Sequence, residues 1–132
     1  MIFLRAEGLQ STIIELVFIF FFISCTHKLM KNELVFEDCK ITYKRELYTG
    51  QYEHIKGNNR VIGLVRNGEL ILEEEFYQKR LLMKKKFTDC NKGYQKFFNQ
   101  DGTLLREGKF ENSEKTGLWK TYIDDRIYSE EY

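Results

Sequence analysis

Apolar residues are distributed along this chain in two different ways. Between Ile13 and Ile23 they form one run, interrupted by Glu15 and unbroken from Leu16 to Ile23. From residue 40 onward they come in short stretches of β-branched and aromatic residues that alternate with polar ones. Turn-forming groups separate these stretches: Gly50, Gly57-Asn58-Asn59, Asn67-Gly68, Asp101-Gly102, Thr116-Gly117 and Asp124-Asp125. No stretch after residue 40 sustains an apolar period of about 3.6, the mark of an amphipathic helix. Alternation bounded by such turns predicts strands joined as an antiparallel meander. Asn67-Gly68 and Asp101-Gly102 predict two-residue type I′ hairpins, because both turn positions need positive φ and Asn, Asp and Gly tolerate it best. The expected fold is mainly β, with repeated hairpins forming a single twisted sheet over residues 40–132. Ahead of it, residues 25–39 read as a tether that ends in one strand or a helical turn.

Charge and ring placement add two devices. Folding LEEEFYQKRLLMKKKF (residues 72–87) about Tyr77–Arg80 sets Glu73-Glu74-Glu75 against Lys84-Lys85-Lys86 to within one register step. Opposite charges across an antiparallel pair contribute roughly 0.2–1 kcal/mol each, and a wrong strand order would bring like charges together. The lysine run therefore reads as a solvated hairpin face that fixes register, in preference to a basic patch for acidic lipids. Aromatics make up 15% of the residues. In a repeated hairpin a ring lies flat on the neighbouring strand where a glycine leaves room for it. Trp119 and Tyr122 with Gly93 and Gly108 are candidates for that arrangement.

The chain also resembles itself. Aligning GYQKFFNQDGTLLREGKF (93–110) with GLWKTYIDDRIYSEEY (117–132) sets Gly93 on Gly117, Lys96 on Lys120 and Phe98 on Tyr122. After a one-residue gap, Phe110 falls on Tyr132. A unit of about 23 residues is too short for a βαβ unit and fits two strands with two turns.

Gly93-Tyr94-x-x-Phe97-Phe98, then Asp101-Gly102, Leu104, Glu107-Gly108 and Phe110, resembles the bacterial second type of MORN repeat, of the YwqK-like group often labelled antitoxins. Gly117-Leu118-Trp119-x-x-Tyr122 begins a second unit. The resemblance covers about residues 43–132 and is clear over 93–122. It implies that Gly93, Phe98, Gly102, Gly108, Phe110, Gly117, Trp119 and Tyr122 define the repeat. Asn112-Ser113 and Asp125 stand where the family usually has glycine, so some of those turns are expected to open into wider loops.

The opening apolar run is too short for a bilayer-crossing helix, which needs about 20 residues, and fits a signal-peptide core of roughly 7–15. It ends in Phe22-Ile23-Ser24-Cys25, which resembles the lipobox of bacterial lipoproteins. That resemblance implies cleavage after residue 24, a signal peptide over 1–24, and lipid attached to Cys25 as the first mature residue. Two or three acyl chains, at about 0.8 kcal/mol per buried CH₂, hold a protein on a bilayer. The expected location is the bacterial cell envelope, and the outer membrane before the inner, because Thr26 is not the acidic residue of an inner-membrane retention signal. Loss of residues 1–25 moves the net charge from +1 to +2, which is no nucleic-acid footprint. Cys39 and Cys90 remain. In an oxidising compartment they form either one disulfide or two thiols that never meet.

Signals of catalysis are few. His27 sits beside the expected lipid and His54 alternates on a strand. Ser113 and Ser129 lack a nucleophile-elbow context. Adjacent acids such as Asp124-Asp125 point to opposite faces of a strand and share no metal. No enzyme, metal or cofactor is expected. The leading expectation is a membrane-anchored, non-catalytic repeat module that binds a protein or an envelope component, with Tyr94, Phe97 and Tyr128 as candidate binding-face aromatics beside Trp119 and Tyr122. The alternative, taken from the family label, is an antitoxin or immunity-type protein that neutralises a partner toxin by direct binding. A third is attachment to the membrane surface.

Overall fold

The computed structural model describes residues 28–132. Cys25 and the apolar run before it lie outside the described residues. The strands are β1 (Lys28–Met30), β2 (Val35–Glu37), β3 (Lys40–Tyr43), β4 (Glu46–Leu47), β5 (Gly50–Lys56), β6 (Asn59–Arg66), β7 (Glu69–Tyr77), β8 (Arg80–Asp89), β9 (Lys92–Phe98), β10 (Leu104–Glu111), β11 (Glu114–Ile123) and β12 (Arg126–Glu131). A single 3₁₀ turn, Lys31–Glu33, separates β1 from β2. β1 and β5 to β12 build one sheet in the order β1-β5-β6-β7-β8-β9-β10-β11-β12. From β5 onward each strand pairs antiparallel with the next, the meander that the alternation predicts. β1 joins the edge in parallel with β5.

The first strands depart from the expectation of a tether and one sheet. β2, β3 and β4 form a small second sheet laid against the β5–β6 end of the large one. Leu29, Leu34, Ile41 and Tyr48 pack with Tyr52 and Val65 into the main core, with Tyr43 and Leu70 against it. Main-chain bonds join the two sheets, from Ile41 N–H to Gly68 O (2.8 Å) and from Gly68 N–H to Tyr48 O (2.8 Å). Residues 28–39, read from the sequence as part of a tether, therefore belong to the folded sheets. The cause is hydrophobic: a single sheet layer leaves Tyr52 and Val65 half wet, and Leu34 and Ile41 cover them.

The turns correct the sequence reading twice. Asn112-Ser113 (φ 52° and 65°) and Asp124-Asp125 (49° and 60°) are tight two-residue turns, not wider loops. Left-handed backbone costs roughly 1–2 kcal/mol per non-glycine residue, and paired strands on both sides hold it in place. Asn67-Gly68 (49° and 78°) takes the predicted form. Asp101-Gly102 does not. Asn99 N–H donates to Thr103 O (2.8 Å) and Gly102 N–H to Asn99 O (3.0 Å), and within the loop Gly102 alone has positive φ. This is a three-residue loop closed by a glycine bulge. Asp101 Oδ1 stabilises it by accepting from the Thr103 N–H and hydroxyl, which lowers the Asp101 pKa.

Ring-on-glycine contacts recur across the sheet. Tyr52 lies directly opposite Gly63, and a methyl group on Gly63 would fall inside the Tyr52 ring. Gly108 stands in the same relation to Trp119. A break in register between Glu107 and Lys109 makes that contact, because Gly117 (φ 65°) lets β11 bulge and lower the indole onto β10. Gly93 opposes Phe110 and also leaves room for the Lys86 carbonyl. The expected pairing of rings with Gly93 and Gly108 thus appears with Phe110 and Trp119, whereas Tyr122 is not among the rings found on a glycine. Trp119 is 1% exposed. Its Nε1–H donates to Lys109 O (2.8 Å), and Arg106 and Lys115 lie 5.4 and 5.2 Å from its ring centre.

Cys39, in the β2–β3 turn, is disulfide-bonded to Cys90, in the β8–β9 turn, with Cα atoms 5.5 Å apart. The bond ties the small sheet to the middle of the large one.

Two outcomes follow. Gly108→Ala should destabilise the protein by about 1–3 kcal/mol, the usual range for overpacking, and shift the fluorescence of Trp119, the one tryptophan. An unchanged urea midpoint and spectrum would show that the ring does not depend on the glycine. Removing the disulfide, which spans 51 positions, should lower stability by about 4 kcal/mol on the chain-entropy argument, read as the difference in unfolding midpoint between oxidised protein and the Cys39→Ser/Cys90→Ser variant.

Candidate interaction surface

Residues directly opposed across an antiparallel pair share a face, and neighbours along a strand alternate. The register therefore assigns each side chain of β5 to β12 to one of two faces. One carries Tyr52, Met83, Phe97, Phe110 and Trp119 and is the packed ring face. The other carries a cross-strand row Glu74, Lys84, Lys96, Glu107, Lys120, Ser129 and a second row Leu72, Lys86, Tyr94, Lys109.

This second face is basic in its centre. Lys84 and Lys96 are directly opposed, a like-charge pair of the kind that destabilises a sheet. Lys86, Lys96, Lys109 and Lys120 are exposed. Among the described residues, none of these four or Lys84 forms an ion pair; the pairs present are Lys28–Glu53, Arg60–Glu53, Lys56–Glu75, Lys92–Glu111 and Arg106–Glu130. Tyr94 sits among the lysines and donates its hydroxyl to Glu107 Oε1 (2.6 Å). That bond, with burial and the carboxylate charge, pushes the Tyr94 pKa up to about 12. Burial and Glu107 also raise Tyr122. On the packed face the Tyr52 hydroxyl donates to Glu73 (2.7 Å), and burial followed by the Glu73 charge holds it well above the ordinary tyrosine range.

The expected binding-face aromatics do not share a face. Tyr94 and Tyr122 lie on the lysine face, Phe97 and Tyr128 on the ring face. Phe97 is 6.3 Å from Trp119, and Trp119 is too buried to offer contact area. Tyr128 is 52% exposed at the outer edge. The charge pairing is met one step off register: Glu73 opposes Lys85 and Glu74 opposes Lys84, while Glu75 opposes Met83. Lys85 turns to the ring face and lies 5.2 Å from the Phe110 ring centre. A cleft of about 710 Å³ beside the disulfide is lined by Phe36, Ile41, Leu70 and Phe87 among others. His54 is half-buried opposite Val61. Among the described residues, no three histidine, cysteine or acidic side chains are grouped to hold a metal ion, and no helix is long and apolar enough to cross a membrane.

Searches against protein-family models, curated proteins and solved structures return no match.

The Tyr94–Glu107 bond has a pH signature. Its proton is held more tightly in the folded chain, so its contribution is complete below the unfolded tyrosine pKa of about 10 and is lost as pH rises towards 12. Wild-type stability should fall more steeply across that interval than that of Tyr94→Phe. Parallel curves from urea unfolding at stepped pH would contradict the assignment.

Proposed function

We propose that this chain is a non-catalytic repeat module, held on a membrane by lipid attached to Cys25, that presents the lysine face of its sheet to an acidic protein or envelope component. The observation that carries the reading is the Lys84–Lys96 pair with Lys86, Lys109 and Lys120 around Tyr94. A sheet that sets two lysines side by side, with Glu74 and Glu107 opposite them but no close ion pair to either, gives up stability there, and an anionic partner returns it. The anchor reading rests on Phe22-Ile23-Ser24-Cys25, three residues ahead of β1. Three residues of chain reach at most about 11 Å, so the β1 edge would sit close to the bilayer.

The test has two stages. Intact-mass measurement of the membrane fraction should find a chain that begins at Cys25 and carries acyl mass; an unmodified chain beginning at Met1 would refute the anchor. Crosslinking capture with the native protein should then recover an acidic partner, and Lys84→Glu/Lys96→Glu should reduce recovery at least tenfold. Equal recovery by the variant would remove the lysine face from the reading. Capture of one toxin-like protein encoded beside this chain would turn the reading to toxin neutralisation.

A further inference from the structure

Among the described residues, β12 is the outer edge of the large sheet. β12 has β11 as its one neighbour among the described residues, and all six of its residues are exposed. Sheets usually guard such an edge with a bulge, a proline, charged side chains or a very short strand. β12 has no bulge, since its pairing with β11 runs without a register break, contains no proline and is six residues long; its charges, Arg126, Glu130 and Glu131, are of both signs and can pair with one another across two copies.

The hydrogen-bond phase shows what β12 offers. Gly117 and Tyr132 exchange both main-chain bonds, at 3.2 and 3.1 Å. Bonded pairs recur every second residue in an antiparallel pair. Arg126, Tyr128 and Glu130 therefore point their main-chain groups inward to β11, while Ile127, Ser129 and Glu131 point theirs out.

We propose that β12 pairs antiparallel with β12 of a second copy of this chain, about a two-fold axis at Tyr128. In that register Ile127 exchanges main-chain bonds with Ser129 of the partner subunit, twice by symmetry. Arg126 then stands opposite the partner's Glu130, also twice, and Tyr128 opposite the partner's Tyr128. Within one chain, Glu130 Oε2 accepts from Arg106 (3.1 Å) and Tyr132 (2.6 Å), which leaves Oε1 for the incoming guanidinium. The alternative register, Ile127 against the partner's Glu131, sets Arg126 opposite a tyrosine and forfeits both ion pairs. The pairing covers Ile127 and Tyr128, 62% and 52% exposed in the single chain. A six-residue strand buries less than a standard interface, so the dimer is weak and concentration-dependent. The inference is independent of the lysine face and of the anchor.

The test uses the native full-length protein in mild detergent, with self-association read by co-capture of two differently tagged copies across a concentration series. Wild-type copies should associate. Arg126→Glu alone and Glu130→Arg alone should each weaken self-association at least tenfold, and mixing the two variants should restore it, because each then presents the opposite charge to the other. Ile127→Pro removes an outward N–H without touching the β11 pairing and should also abolish association; far-ultraviolet circular dichroism and Trp119 emission report that the fold is kept. Absence of wild-type association, association indifferent to all three changes, or a mixture no better than its components would each overturn the proposal.

Discussion

An aromatic ring laid on a glycine of the next strand is the contact on which this sheet depends. Tyr52 on Gly63, Phe110 on Gly93 and Trp119 on Gly108 mark three places along a meander that, among the described residues, a second layer covers at one end. Where no second layer lies above it, a sheet has to keep its apolar face from water with its own side chains. Removing the Cβ opposite a ring lets the ring drop onto the strand, so the sheet supplies part of its own cover. At the Trp119 end, Arg106, Lys115 and Tyr132 complete that cover. Cations packed over rings thus stand where another protein would place a helix or a second sheet.

Much of the fold was legible because the signals were local. Period-two alternation, Asn67-Gly68 and the opposed Glu and Lys runs all act over a few residues, and the meander from β5 to β12 follows from them. What escaped required knowledge of register. Asp101-Gly102 looks like a two-residue turn, but Asp101 bonds Thr103 and recruits an extra residue into the loop. The glycine missing from Asn112-Ser113 and Asp124-Asp125 suggested loosened turns, yet neighbouring strands enforce the left-handed backbone. The small sheet escaped because Leu34 and Ile41 show their purpose only once Tyr52 and Val65 are seen to need a lid. Gly63 had a signal that could have found it: it lies eleven positions from Tyr52, the same separation as Gly108 from Trp119.

The candidate surface was less legible than the fold. Adjacent lysines in a strand point opposite ways, so the run Lys84-Lys85-Lys86 is not one patch. Lys85 serves a ring on the packed side, and the basic face is assembled from Lys84 and Lys86 with Lys96, Lys109 and Lys120 from three other strands. Parity alone, by contrast, separates Tyr94 from Phe97: three positions apart in an extended strand, they cannot share a face. Lys96 and Lys120, which the self-alignment matched, fall in one cross-strand row through Glu107.

The bond between Cys39 and Cys90 has a mechanical consequence. Traction on the chain from its amino end would peel away β1 and β2 and then meet the sulfur bridge, which hands the pull straight to the β8–β9 turn. Residues 40–89, about half of the described fold, lie inside the bypassed loop and carry no covalent tension. β8, which bears Lys84 and Lys86, would stay paired while the leading segment paid out like slack, so the molecule is wired to keep its middle folded under a pull that strips its first strands.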